Sequence, residues 1–220
     1  MKKNLKKLLI WLTKTGVYFF IEGSTSVLFF VFQADSVKYF DIYDENKFII
    51  QLDSFLKQNK LEETEAYFIV GQDAVIEGEF VKNNSENVAQ FIDNIPYEQV
   101  ITKINEKEKS VHVLGFNAAF YQTINSVIEK LGGTTLTVLP YYFFDSMKLD
   151  IQNAEVILKK AETLKSQNMI IELPKESETP GNQPFGSTQT AKKEKSTLPF
   201  LIPIFLVLIL VLIFMVLKTK

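Results

Sequence analysis

The side chains that could do chemistry are few and scattered. His112 is the only histidine, and it falls in a stretch with strand character, Val111 to Phe116. One imidazole cannot build a metal site, and a lone strand histidine is ordinarily a packed or edge residue. There is no cysteine, which removes disulfides, thiolate metal ligands and cysteine nucleophiles. Asp93, Glu98, Asp145 and Asp150 lie near the ends of predicted elements, but no spacing pairs two of them as acid and base, and they read as solvated. Gly23-Ser24-Thr25-Ser26 has the small hydroxylic residues of a phosphate loop. It lacks the GxxxxGK(S/T) spacing, and no lysine follows until Lys38. Gly132-Gly133 reads as a helix stop. All 24 basic residues are lysine, so no guanidinium can clamp an anion bidentately, and a net charge of −2 gives no general attraction for nucleic acid. The inventory predicts a protein that is not an enzyme and that has no cofactor, no metal and no catalytic residue.

The elements around these residues predict an α+β domain. Val17 to Phe32 reads as strand, turn and strand, with Gly23 to Ser26 as the turn. Val37 to Asp41 and Lys47 to Ile50 read as further strand, and Asp53 to Lys60 as a helix with Leu52, Phe55 and Leu56 on one side. Ala66 to Val70 and Ala74 to Phe80 predict strands, and Ser85 begins a helix striped by Val88, Phe91 and Ile92. Glu98 to Asn105 and Val111 to Phe116 predict two more strands. Ala118 to Leu131 is an amphipathic helix with Phe120, Ile124, Val127, Ile128 and Leu131 on one face. Leu136 to Leu139 is a strand stopped by Pro140, and Asn153 to Lys165 a helix with Val156, Ile157, Ala161 and Leu164 inward. Helices packed on pairing strands make this α+β.

The two ends differ from the middle. Leu198 to Leu217 is twenty residues with no charge and no hydrogen-bonding side chain, long enough as a helix to cross the roughly 30 Å hydrocarbon core of a bilayer. It predicts a single C-terminal transmembrane anchor, with Pro199 and Pro203 bending it. The stretch before it, 172–197, holds three of the seven prolines with Gly, Ser, Thr and Lys, and predicts a flexible linker. At the other end, Leu5, Leu8, Leu9 and Leu12 share one helical face and Lys2, Lys3, Lys6 and Lys7 the other, so 1–15 reads as a basic amphipathic segment. That pattern suits an interfacial membrane contact or a helix packed on its own domain. The apolar core Leu8 to Leu12 is too short for a secretory signal, which places the globular part in the cytosol, on the inner membrane. The divisions are then 1–15, a domain over 16–146, a packing helix and extension over 147–171, the linker 172–197 and the anchor 198–217.

Four stretches, taken in order, carry a resemblance: Phe20 to Val27 (FIEGSTSV), Phe55 to Phe80, Ile92 to Val100 (IDNIPYEQV) and Val111 to Leu139. They resemble, respectively, the opening strand-turn-strand "IDIGSSSI", the helix and two strands after it, "YIPFPLEEV" leading into an inserted subdomain, and that subdomain's exit. The pattern is similar to the first part of the actin-like type IV pilus assembly protein PilM and to the cytoplasmic part of its type II secretion relative GspL, over about residues 16–145. The resemblance implies a truncated actin-like, SHS2-type domain ahead of the linker and transmembrane helix. It also implies departures. The family's metal-positioning aspartate is replaced by Ile21 and its lysine after the turn by Leu28, so Gly23, Ser24, Thr25 and Ser26 read as a degenerate phosphate-loop remnant.

The resemblance implies a membrane-tethered, non-catalytic scaffold that docks pilus or secretion inner-membrane assembly proteins, binding the membrane through its C-terminal helix and no nucleic acid, with room for a homo-oligomer. Two other readings are an FtsA-like division or cytoskeletal adaptor, and a degenerate actin-fold ATPase completed by a second chain. For docking, two segments compete: a subdomain over about Ser85 to Leu139, and the aromatic run Tyr141 to Phe144. In the run, Tyr142 and Phe144 are the candidate contacts, unless the helix at Asn153 to Lys165 folds back over them.

Overall fold

The computed structural model describes residues 5–38, 40–82, 85–144, 147, 150 and 152–169, together with the backbone of 190–192. In chain order the first half comprises β1 (Lys6–Leu12), β2 (Gly16–Ile21), β3 (Leu28–Val31), β4 (Val37–Lys38), β5 (Asp41–Ile42), α1 (Glu45–Gln58) and β6 (Thr64–Val70). The second half comprises β7 (Ile76–Val81), α2 (Ser85–Asp93), β8 (Gln99–Glu106), β9 (Ser110–Asn117), α3 (Ala118–Lys130), β10 (Thr134–Pro140), α4 (Ala154–Thr163) and β11 (Thr190–Lys192).

The main sheet has the order β10-β6-β1-β2-β3. β6 is parallel to both β1 and β10, and β2 is antiparallel to β1 and to β3. Ala66 to Val70 in β6 and Leu8 to Ile10 in β1 are wholly buried, as strands covered on both faces must be. On one face α1 and α3 press Phe48, Leu52, Leu56, Phe120, Ile124 and Val127 against Leu8, Ile10, Phe19 and Phe68. On the other, α4 lays Ile157, Leu158 and Ala161 over Leu9, Phe20, Tyr67 and Ile69.

The N-terminal helix expected over Leu5 to Leu12 is therefore a strand, and the domain starts at β1 and not at residue 16. The reason is local: Leu8 to Leu12 are consecutive apolar residues, and only a strand between two partners buries all of them, alternately on two faces. Lys7 points to the α4 face and pairs with Glu162 at 3.0 Å and Glu22 at 3.4 Å, and the Glu162 carboxylate, then Glu22, raise its pKa.

Lys47 to Ile50, expected as strand, lie inside α1. Asp44 caps that helix by accepting from the Lys47 backbone N–H at 3.0 Å, and Phe48, Leu52 and Leu56 then recur at helical spacing. Val37 to Asp41 supplies only the small ribbon β4-β5.

Between β6 and α3 the chain builds β7, β8 and β9, which with β11 form a second antiparallel sheet in the order β11-β8-β9-β7. α2 covers one face of it, with Phe91 5.3 Å from Phe80. Gly115 admits the helix exit: a Cβ there would stand 2.4 Å from Ile95 Cδ1. The subdomain expected over Ser85 to Leu139 is thus shifted. It begins at β7 and ends with β9, since α3 and β10 belong to the main sheet. Within the expected linker, Thr190–Lys192 forms an edge strand on β8. Among the described residues no helix is long and apolar enough to cross a membrane; Leu198 to Leu217 lies outside them.

Phe120 is fully buried and stacked 4.4 Å from Phe40, so Phe120→Ala is expected to cost about 3–5 kcal/mol in chemical denaturation. Asp53 ties α1 to α3: Lys57 at 2.7 Å, with Lys130 at 3.5 Å, holds its carboxyl below the ordinary 3.8. A depressed folded pKa contributes stability above the unfolded value and loses it as pH falls through the folded one. Asp53→Asn should therefore cost less than about 1 kcal/mol at pH 7. The gap to wild type should close below about pH 4 in parallel melts.

Candidate functional site

Where the inserted sheet rejoins the main one, β5 and the starts of α1, β8 and α3 enclose a cleft of about 250 Å³ lined by Asp41, Glu45, Glu98, Gln99, Asn117 and Thr123. Asn117, buried at the end of β9, organises it. Its Oδ1 accepts from the Ala119 N–H at 3.0 Å and caps α3, while its Nδ2 donates to the Phe40 carbonyl at 3.3 Å and to Asp41 Oδ1 at 3.4 Å. Phe40 is left-handed, with φ 59°, an unfavourable conformation for a bulky residue. The Asn117 bond and the face-on stack with Phe120 hold it there. Burial, and then the nearby Asp41 charge, pushes the Tyr97 phenol up. Glu45 accepts from Thr123 at 3.3 Å, and Gln122 donates to Gln99 at 2.9 Å. The result is an acidic cleft walled by the inserted sheet, the β4-β5 ribbon and helices α1 and α3.

A second cluster lies on the inserted sheet's other face. The Tyr141 hydroxyl donates to Glu77 Oε2 at 2.8 Å, and His112 Nε2 lies 3.1 Å from the same oxygen. Next to it, Glu79 accepts from Ser110 at 2.6 Å and from Lys107 at 3.2 Å, and these two donors, Ser110 first, lower its pKa. Lys103 shares a cross-strand row with Leu114 and Glu77, and burial holds it below the ordinary lysine value. Imidazole and phenol both engage one carboxylate, so the cluster links the turn after β10 to β7 and β9. Among the described residues no hydroxyl nucleophile lies within hydrogen-bond reach of His112, and no three His, Cys, Asp or Glu side chains converge as a metal site requires.

The residues singled out in the sequence separate. Gly23 to Ser26 is the turn between β2 and β3, with Gly23 at φ 77° and the Ser24 hydroxyl bonded to the Ser26 carbonyl at 3.0 Å and accepting from the Ser26 N–H at 3.1 Å. The sheet's opening hairpin is at Thr13 to Gly16, between β1 and β2. Ile21 packs on the main core. Phe144 is 1% exposed under α4, which corrects its candidacy as a partner contact. Tyr142 is half-buried, 4.5 Å from Phe143 and 6.4 Å from His112. Of the four carboxylates, Glu98 lines the cleft, Asp150 accepts from the Gln152 and Asn153 N–H groups ahead of α4, Asp93 ends α2, and Asp145 lies outside the described residues. Sequence reasoning missed Asp41, Glu45, Asn117 and Glu77. The signal available was an asparagine immediately before an amphipathic helix.

Asn117→Ala is expected to cost about 2 kcal/mol, since it removes a cap and leaves the Phe40 carbonyl without its donor; Tyr141→Phe should cost about 1 kcal/mol. Denaturant titrations of both variants check this.

No family model matches the chain, and no curated protein matches it. Solved structures do. The cytoplasmic domain of EpsL, an inner membrane component of the type II secretion system of Vibrio cholerae, is similar at TM-score 0.40 and 10% identity over 63% of this chain and 58% of that one. A PilM–PilN type IV pilus biogenesis complex is similar at TM-score 0.40 and 10% identity, over 64% of this chain and 49% of that one. A Bacteroides thetaiotaomicron protein with an actin-like ATPase fold and unknown function is similar at TM-score 0.37 and 12% identity, over 66% and 58%. The chain thus spans about half to three-fifths of each structure. Likeness at this level says nothing of activity or partners.

Proposed function

We propose that the chain is a membrane-tethered, non-catalytic scaffold that docks cytosolic and inner-membrane components of a type IV pilus or type II secretion-like machine. The observation that carries this reading is the inserted sheet. Its β7, β8 and β9, with α2, leave the main sheet after β6 and return at α3, around the Ile92 to Val100 stretch that resembles the entry to the family's inserted subdomain. The insertion offers surface and not chemistry. Glu77, Glu79 and His112 are engaged with structural partners, and the acidic cleft is organised by the neutral donors Asn117 and Thr123. The apolar run Leu198 to Leu217 supplies the tether.

Against the degenerate-ATPase reading, Ile21 stands where the resembling family has its metal-positioning aspartate, and it packs on the core. Calorimetry on the full chain in detergent is expected to detect no Mg-ATP binding; a dissociation constant below about 1 mM would defeat the non-catalytic reading. The scaffold reading is tested by affinity capture of the full chain from gently solubilised membranes. Pilus or secretion inner-membrane assembly proteins should dominate the captured set, whereas division or cytoskeletal proteins in their place would favour the adaptor alternative.

A further inference from the structure

The two large sheets have four outer edges, and among the described residues three of them are guarded. β8 is covered by β11. β7 carries Glu77 and Glu79, charges that discourage a further strand. β10 has a bulge between Thr135 and Thr137, and its Val138 donates to Asn168 Oδ1 and accepts from the Met169 N–H, both at 2.8 Å. The fourth edge, β3, reads LFFV, pairs in regular register with β2 and carries no charge, proline or bulge. The next residue, Phe32, donates to the Thr15 carbonyl at 3.0 Å. By antiparallel alternation Phe30 also bonds towards β2, while the backbone groups of Phe29 and Val31 face outward. Val31 is 49% exposed. Gln33 Nε2 donates to its carbonyl at 3.3 Å, which leaves that oxygen a second lone pair.

Beside this edge an open groove of about 480 Å³ runs between β3 and Gln51, Ser54, Phe55 and Gln58 of α1. Among the described residues its lining has no ionisable side chain. Asp35, which accepts from Gln51, is neutralised by Lys47 at 2.6 Å. That composition points to the occupant. A twofold axis sets the residues near it against their own copies. Identical charges repel there, whereas glutamine and serine each carry a donor and an acceptor and can bond to themselves. The strand of an unrelated partner would place no such demand on the walls.

We propose that β3 and the groove beside it seat a second copy of this chain, joined edge to edge by antiparallel pairing of the two β3 strands. With the twofold axis at Phe30, Phe29 of each copy lies opposite Val31 of the other, and the two exchange backbone hydrogen bonds on both sides of the axis. The two five-stranded sheets then run on as one. Gln51, Ser54 and Gln58 of the two α1 helices meet over the join, and the exposed Val31 is covered. This inference is independent of the scaffold reading.

Sedimentation equilibrium of the full-length protein in density-matched detergent should give a dimer, and Val31→Lys should raise its dissociation constant at least about tenfold. Gln51→Glu with Gln58→Glu should weaken the dimer about tenfold in low salt and recover in about 0.5 M salt, where like charges across the axis are screened. The chain has no cysteine, so the register can be read directly. Under mild oxidation, Phe29→Cys mixed with Val31→Cys should close intermolecular disulfides at least about fivefold faster than either protein alone, since only the mixed pair lies within disulfide reach. A wild type that stays monomeric up to about 100 µM, or a dimer untouched by both sets of substitutions, would overturn the proposal. Equal rates for mixed and self disulfides would overturn the register. Where Val31→Lys costs the β6 amides their protection from exchange, the salt-reversible effect of the two glutamates decides alone.

Discussion

Two strands with no polar face dictate this architecture. β1 and β6 are apolar on both sides at their centres, so neither can lie on a surface, and the sheet must be roofed twice. α1 and α3 form one roof and α4 the other, which explains why a helix beyond the last strand of the main sheet is integral to the domain. The same constraint fixes the aromatic turn after β10. Phe144 meets Trp11 edge-on at 6.0 Å and shares the second core with Ile157 and Leu158, so it closes the α4 roof.

The insertion follows from the parallel pairing of β6 with β10. A parallel pair needs a long crossover, and this one contains three strands of an antiparallel sheet before α3 brings the chain back. The return point holds a left-handed Phe40, a buried Asn117 that serves helix and ribbon together, and the acidic cleft between them. Both clusters of interacting polar groups, at Asn117 and at Glu77, lie on connections between the sheets. Their chemistry is that of fasteners.

Much of this was legible in the sequence. Strands with clear turn punctuation, such as β2 and β3 around Gly23 to Ser26, and helices with a full apolar stripe, such as α3 with its Gly132 stop at φ 80°, lie where periodicity put them. The error at β1 arose because lysines flanking a short apolar run suit a helical wheel as well as a strand, and only the parallel partner β6, more than fifty residues on, decides between them. α1 was read short because its first turn, Glu45 to Phe48, contains a single buried apolar residue, and the Asp44 cap is visible only as geometry. The cleft could not be read at all: Asp41, Glu45, Glu98 and Asn117 come from four separate segments, and nothing local marks them as neighbours.

The central claim is that the inserted sheet is the docking surface. A photo-crosslinking amino acid placed singly at Asn105 or Glu79 on that sheet, or at Lys130 on α3, in the full-length protein in intact cells, tests it most directly. The account predicts adducts to pilus or secretion assembly proteins from Asn105 and Glu79 and none from Lys130. Adducts from Lys130 alone, or from none of the three in cells that assemble the machine, would contradict it.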